Sequence, residues 1–434
     1  MPTLRIKLGN RLVGTITNVV TDKNIFVFDP GYVEDERRPV LSLSYYDIER
    51  KLITRPREVQ RRLPPFFSNL LPERDGVLRD YLAQRGGISP EREFPLLWLV
   101  GADLPGAVIA EDSEGQPLPP EEKSETREAN KEEVLRFSLA GVQLKFSAIG
   151  RGGRQLRIPA QGRDGQWIVK LPSPRFSKVP ENEFAMMTLA KEVGIDVPEF
   201  GLVPVGSIEN LPPEFAENKT NAYFIRRFDR GPDGERIHAE DFNQIYGQYP
   251  EKKYEEHGYT GMAKDIWAVL GEKGLTEFIR RIVFNAAIGN ADMHLKNWSL
   301  LYRDGRTPTL APGYDYVSTM RYLPDRGLGL PLARTKDVSR LDDELLEKAS
   351  VQAGVPRGLV KDVAHETARA FIHTWSQHNP GLPIDDLGRR KIDEQLRLVP
   401  LFKEHVVSGK PKRKKRLPPK QEVSASMVAA KPSQ

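Results

Sequence analysis

Leu4, Ile6 and Leu8 alternate with Arg5 and Lys7, the period-two pattern of a strand with one buried face. Gly9-Asn10 supplies a turn before Leu12, Val13 and Ile16, and Asn24 to Asp29 forms a second short strand candidate. Over residues 64–84 the spacing becomes helical, with Ser68 or Asp75 as candidate caps. Strand candidates return at Leu135 to Ser138, Val142 to Ile149, Arg154 to Ile158 and Gln166 to Lys170, with Arg151-Gly152-Gly153 as a hairpin-like turn. Asn182 to Val193 is amphipathic at helical period and stops at Gly194, and Asn221 to Phe228 reads as a further strand. From Asp229 onward the pattern predicts mostly helix. Leu275, Phe278, Ile279, Ile282, Val283 and Ala286 form one apolar stripe, which Gly289-Asn290 ends. Further helices are expected at Asp342 to Ala353, Val360 to His378 and Arg389 to Glu404. No internal repeat is visible.

This order predicts an α+β chain in which a β-rich lobe with one helix precedes a helical lobe, leaving a cleft for a ligand. The expected units are 1–110, an acidic linker at 111–133, a β-rich lobe at 134–230, a helical lobe at 231–405, and a basic, disordered tail at 406–434. Between Glu111 and Glu133 nine acids face three bases, with a Pro-rich run from Pro117 to Pro120.

Composition narrows the chemistry. The 434-residue chain has no cysteine, which excludes disulfides, thiolate nucleophiles and Cys-ligated metal centres. Its net charge of +5 hints at a polyanionic partner, but the segment Gly409 to Lys420 alone holds seven Lys/Arg. Without them 58 bases face 60 acids, so the basic character belongs to the tail. A solvated tail explains that segment more simply than nucleic-acid binding. The N-terminus lacks the apolar core of a signal peptide, and Phe94 to Ala110, the most apolar stretch, contains Pro95, Asp103 and Pro105. A cytoplasmic protein with no membrane partner is expected.

The segment GNADMHLKNWSL (289–300) places Asp292 five residues before Asn297, just after a buried helix stops, and Asp315 follows in GYDYVS (313–318). Phosphoryl transfer needs a carboxylate to orient the acceptor hydroxyl, an amide and a carboxylate to hold Mg²⁺, and a cation on the phosphates. Asp292, then Asn297 with Asp315, then Lys170 at the end of the apolar WIVK strand meet those needs. Glu183, on the following helix, is a candidate partner for Lys170. Spacing alone leaves plain capping and turn roles open for the same residues. GRGGR (150–154) lacks the spacing of a phosphate loop, and the five tryptophans read as packing residues.

RFSLAGVQLKFSA (136–148), WIVKLP (167–172), ENEFAMMTLAKEVGIDVP (181–198), RRFDR (226–230), GNADMHLKN (289–297) and GYDYVS (313–318) resemble, in order, the motifs of HipA-type serine/threonine kinases. These are toxin components of bacterial HipBA toxin–antitoxin systems. PPFFSNLLPE (64–73) is similar to the signature of that family's N-terminal subdomain, and the resemblance spans residues 1 to about 405. It implies a two-lobed protein-kinase-like fold using ATP and Mg²⁺, with Asp292 as catalytic carboxylate, Asn297 and Asp315 as metal ligands, and Lys170 on the ATP phosphates. Backbone groups of Arg226 to Phe228 would hold the adenine. The loop Ser138, Leu139, Ala140, Gly141, Val142, Gln143 to Lys145 would cover the phosphates, and Ser138 corresponds to the family's autophosphorylated serine. His294 would touch phosphates or order the loop, although a hydrogen-bonded structural histidine is an equal reading. The resemblance further implies a helix-turn-helix, HipB-like antitoxin, contact with operator DNA mainly through that antitoxin, and an aminoacyl-tRNA synthetase, notably the glutamyl enzyme, as substrate. The alternatives are a small-molecule phosphotransferase and a non-catalytic co-repressor.

Overall fold

The computed structural model describes residues 1–19, 22–74, 76–113, 144–151, 154–159, 165–211, 215, 220–324, 327–378 and 381–408. Ser138 to Gln143, most of the acidic linker, Asp75 and the basic segment from residue 409 onward lie outside them.

The alternating N-terminal residues form β1 (Thr3–Leu8), which pairs antiparallel with β2 (Arg11–Val19), followed by β3 (Lys23–Phe28) and β4 (Arg57–Gln60). A late strand, β5 (Val108–Asp112), closes the other edge, giving the order β4-β3-β2-β1-β5. Glu111 and Asp112 thus belong to this sheet rather than to a linker. Leu4, Ile6 and Leu8 point into an aromatic-rich core with Phe26, Tyr45, Phe66 and Phe67. The helical stretch predicted at 64–84 is two helices, α2 (Pro65–Ser68) and α3 (Val77–Gly86), after the short α1 (Pro30–Glu34). Of the two expected caps, Asp75 lies outside the described residues and Ser68 does not act as one. Pro64 and Gly76 hold the cap positions, while Ser68 is buried and donates to Glu93 at 2.9 Å. The last helix of the unit, α4 (Glu93–Val100), precedes β5.

A second sheet follows, with order β7-β6-β8-β10-β9, built from β6 (Lys145–Arg151), β7 (Arg154–Arg157), β8 (Trp167–Lys170), β9 (Phe200–Pro204) and β10 (Asn221–Arg226). The pairing of Arg151 with Arg154 fits the expected hairpin. Strand β10 stops at Arg226, two residues short of the expected end. Helix α5 (Val179–Glu192) packs on this sheet, and its Asn182 side chain bonds both the amide and the carbonyl of Ser318 across the cleft, at 3.0 and 3.1 Å.

The remainder is helical around a long element, α7 (Tyr259–Ile288), which breaks at Gly271 and then carries the predicted apolar stripe. It is followed by α8 (Asp343–Ala353), α9 (Arg357–His378), α10 (Asp386–Leu398) and α11 (Pro400–Ser408). The last two replace the single helix expected at 389–404, because Pro400 and an extended Val399 interrupt it. The region after Asp229 is also less purely helical than its sequence suggests. Before α7 stands a short α6 (Phe242–Ile245), and β11 (His238–Asp241), β12 (Ser299–Tyr302) and β13 (Thr309–Leu310) form a small antiparallel sheet beside the cleft. The whole is an α+β, two-lobed kinase-like fold with an added N-terminal unit. Among the described residues, no helix is long and apolar enough to cross a membrane.

Candidate active site

Helix α7 ends at Gly289, whose positive φ of 61° closes the helix C-terminus, and a side chain there would strike Met320. The chain then turns sharply into the catalytic-loop candidate. Asn290 accepts from the Asp292 amide at 3.1 Å and donates to Asn285 at 2.9 Å, an Asx-type turn anchored on the helix. Thr319 joins the loop to the following segment, accepting from the Ala291 amide at 2.9 Å and donating to the Gly289 carbonyl at 3.0 Å. A single helical turn, Leu295–Asn297, swings Asn297 back so that its side-chain amide donates to the Asp292 carbonyl at 3.0 Å. The five-residue spacing therefore brings Asp292 and Asn297 together.

Asp315 faces them on the next segment. It adopts a left-handed backbone, φ 62°, which aspartate tolerates better than most residues. Its carbonyl lies 3.4 Å from the Asn290 side-chain amide, and Gly313 lets the Tyr316 ring pass close to the backbone. Across the cleft, Lys170 extends from the end of β8, between Lys145 and Tyr223 of the neighbouring strands. Its Nζ contacts Glu183 Oε1 at 2.6 Å and Asp315 Oδ1 at 2.5 Å. One buried ammonium thus spans both lobes.

The electrostatics follow from this arrangement. Burial pulls the Lys170 pKa down, but Asp315 and Glu183 outweigh it and hold the ammonium firmly charged. Desolvation would raise Asp315, yet Lys170 and then Lys145 drive it well below the ordinary carboxylate range. At Glu183 burial wins over Lys170 and lifts the carboxyl to about 7, and its Oε2 has no hydrogen-bond partner. Asp292 is raised to about 6, mainly by desolvation, against the hydrogen bond donated by Tyr254. His294 is buried and kept neutral, above all by desolvation, and its Nδ1 lacks a partner.

Arg226 ends β10, and Phe228 follows it in the segment connecting the lobes. The Arg226 and Arg227 amides donate to the Glu199 and Gln166 carbonyls at 2.7 and 2.8 Å, so nucleotide recognition here would fall to the remaining backbone groups. The Phe228 ring lies 5.4 Å from that of Tyr314, next to Asp315. Lys170, Glu183, Asp292, His294, Asn297 and Asp315 converge, while Ser138, Leu139, Ala140, Gly141, Val142 and Gln143 fall outside the described residues. Trp167, Trp298 and Trp375 are buried as packing residues.

Sequence reasoning missed Tyr254, Lys253 and Lys296. Lys296 lies inside the GNADMHLKN motif, which was a usable signal, and the structure shows its pKa lowered by burial. Tyr254 sits in the polar run EKKYEEHG (251–258), where no periodicity marks it.

Among the described residues no three His, Asp or Glu side chains form a metal cage. Mg²⁺ does not need one, since it commonly takes one or two protein ligands and completes its shell with water and phosphate. A strongly ionised Asp315 beside the carboxamide of Asn297 fits that donor set.

Comparison with known proteins agrees with the geometry. Residues 4–111 match the HipA N-terminal domain and residues 137–375 the HipA-like C-terminal domain. The Sinorhizobium fredii protein Y4dM, named as a kinase, is 46% identical over 404 residues, covering 92% of this chain and 98% of that one. The serine/threonine-protein kinase toxin HipA of Shewanella oneidensis is 28% identical over 359 residues, 74% of this chain and 76% of that protein. The solved complex of HipA, HipB and operator DNA from Shewanella oneidensis MR-1 includes a chain of the same fold, with TM-score 0.69 at 22% identity, covering 93% of this chain and 97% of that one. With both halves of the pattern matched and a relative nearly half identical along almost its entire length, this chain belongs to the HipA family of kinase toxins.

Proposed function

We propose that the chain is an ATP- and Mg²⁺-dependent serine/threonine protein kinase that acts as the growth-arresting toxin of a type II toxin–antitoxin system. The observation that carries this reading is the Lys170 ammonium held between Glu183 and Asp315, beside the Asp292–Asn297 turn. In such a site Lys170 grips the nucleotide phosphates. Asn297 and Asp315 hold Mg²⁺, which supplies charge neutralisation at the transferring phosphoryl group. Asp292, ionised at neutral pH but raised to about 6, orients the acceptor hydroxyl and takes its proton. The buried His294 orders the loop rather than carrying charge. Catalysis is then mainly positioning in a partly dehydrated cleft.

Family membership supports the finer assignments. The acceptor protein is an aminoacyl-tRNA synthetase, of glutamyl type by resemblance. Phosphate on Ser138 would place a dianion beside the nucleotide phosphates and shut the enzyme off. A helix-turn-helix antitoxin partners the chain, with operator DNA reached mainly through it. The test is phosphate transfer from γ-labelled ATP to a purified synthetase and to the chain itself. Wild type should label both and Asp292→Gln neither, and equal labelling by the two chains would remove Asp292 from the chemistry.

A further inference from the structure

The catalytic groups named above take nothing from the N-terminal unit, although its PPFFSNLLPE motif (64–73) lies against the catalytic loop. The connection runs through Tyr254. Its hydroxyl donates to the Asp292 carboxylate, and its ring stands edge-on to the His294 imidazole with centroids 5.0 Å apart. Among the described residues, no other side chain hydrogen-bonds that carboxylate. One Asp292 oxygen is thus engaged, which fixes the direction in which the other faces an acceptor.

Tyr254 is itself held from two sides. The Lys253 carbonyl accepts from the Leu295 amide at 3.1 Å, tying the segment to the catalytic loop. The Lys253 ammonium, whose side chain is only 7% exposed, meets both oxygens of Glu73 at 2.8 Å. Asn69 secures the rest. Its amide donates to the Gln248 carbonyl at 2.7 Å, and its own carbonyl lies 3.5 Å from Lys296 Nζ in the catalytic loop. A partly buried ion pair such as Lys253–Glu73 adds little net stability. What it does supply here is direction, because Tyr254 is the next residue along the chain.

We propose that Glu73 acts through Lys253 and Tyr254 as a positioning residue for Asp292, with Asn69 holding Lys296 and the Gln248 carbonyl beside it, so that the N-terminal unit completes the catalytic loop. This rests on the kinase reading of the site. It gives the 64–73 motif a role in turnover, and it places the acceptor hydroxyl opposite Tyr254.

The test uses full-length chains carrying Tyr254→Phe, Glu73→Gln or both, with γ-labelled ATP and the Asp292→Gln chain as phosphate acceptor. Tyr254→Phe should lower kcat about 30-fold and leave KM for ATP within about twofold, because misdirection affects the reacting geometry and not nucleotide binding. Glu73→Gln should lower kcat about 10-fold, and the double variant should be no slower than Tyr254→Phe alone, since both act on one path. A Tyr254→Phe chain as fast as wild type, or faster, would mean that the hydroxyl only blocks Asp292, and would overturn the proposal. Losses that multiply in the double variant would separate Glu73 from Tyr254 and overturn it as well. Hydrogen exchange gives a readout independent of turnover. Glu73→Gln should speed exchange of residues 290–297 and leave residues 3–8 unchanged, and unchanged exchange in the loop defeats the proposal. If wild type transfers no phosphate while Glu73→Gln still loosens residues 290–297, the kinase reading falls and the link from Glu73 to the loop stands.

Discussion

Lys170 joins two carboxylates that could not otherwise share a cleft. Glu183 is almost fully buried, with a side-chain exposure of 1%, while Asp315 keeps 35% of its side chain in water. Removing the ammonium leaves one carboxylate without compensation in the interior and a second beside it. Lys170→Met is therefore expected to cost about 3 kcal/mol, the low end of the range for breaking a buried pair, because Asp315 retains solvent. Glu183→Gln leaves Lys170 paired with Asp315 and should cost clearly less. Chemical denaturation of the two variants checks both the magnitude and the order, and a Lys170→Met chain as stable as wild type would refute this account. These residues were legible in the sequence because the reaction dictates their identity and order, as in the Asp292, Asn297 and Asp315 spacing. Tyr254 was not, since a tyrosine in a run of Lys and Glu has the same local pattern whether it is solvated or turned inward.

Strand β11 shows what short elements can hide. His238 to Asp241 lie almost entirely inside the protein, where strand β11 pairs with β12, and β12 is buried at every position. Strands buried on both faces show no alternation, so a four-residue example cannot be told from helix or loop by pattern. The alternating β1 was readable for the opposite reason, since it has one wet face, and the α7 stripe because the partly exposed Thr276, Glu277 and Arg280 interrupt its apolar positions. Burial also gives β11 a measurable signature. Glu240, 1% exposed, accepts from the Leu43 amide at 3.1 Å and from the Tyr302 hydroxyl at 2.5 Å, and desolvation raises its pKa from 4.5 to about 7. An acid with a raised folded pKa binds more protons folded than unfolded between those values, so its contribution to stability falls as pH rises from 4.5 to about 7. Above that window the cost is fully present, and below 4.5 it vanishes. His238 opposes this locally, because burial lowers it to about 4 and favours the folded state as pH rises toward 6.5. Glu240→Gln isolates the first effect. The variant should gain on wild type by up to about 3 kcal/mol near pH 8 and by little near pH 4.5. Melting curves of both chains across that range check this, and a pH-independent difference would show that Glu240 does not titrate in the window.

At the scale of the molecule, the two lobes share one apolar core through α5 and β10, whereas the N-terminal unit, whose apolar cluster is separate, is joined to them more by polar seams. The largest seam lies at the connecting strand. Asp103 of the N-terminal unit receives Arg227 at 2.9 Å and Arg230 at 2.7 Å, and both arginines also bind Asp229. Asp229 in turn accepts from the Gly106 amide at 2.7 Å, so the N-terminal unit grips the hinge between the lobes from both sides. No sequence pattern announced this, because Asp103 sits in an apolar stretch more than a hundred residues from its partners. The consequence concerns cooperativity. Four charges buried in one network balance, and deleting Asp103 leaves two arginines with one carboxylate, so Asp103→Ala should cost about 3–5 kcal/mol. Because that carboxylate contacts the hinge itself, the loss cannot be confined to the N-terminal unit. Calorimetry of the wild type should then show one main transition, with Asp103→Ala lowering it as a whole and weakening nucleotide binding through a looser hinge. Two resolved transitions in the wild type, of which the substitution shifts only one, would instead make the N-terminal unit an independent appendage to the kinase lobes.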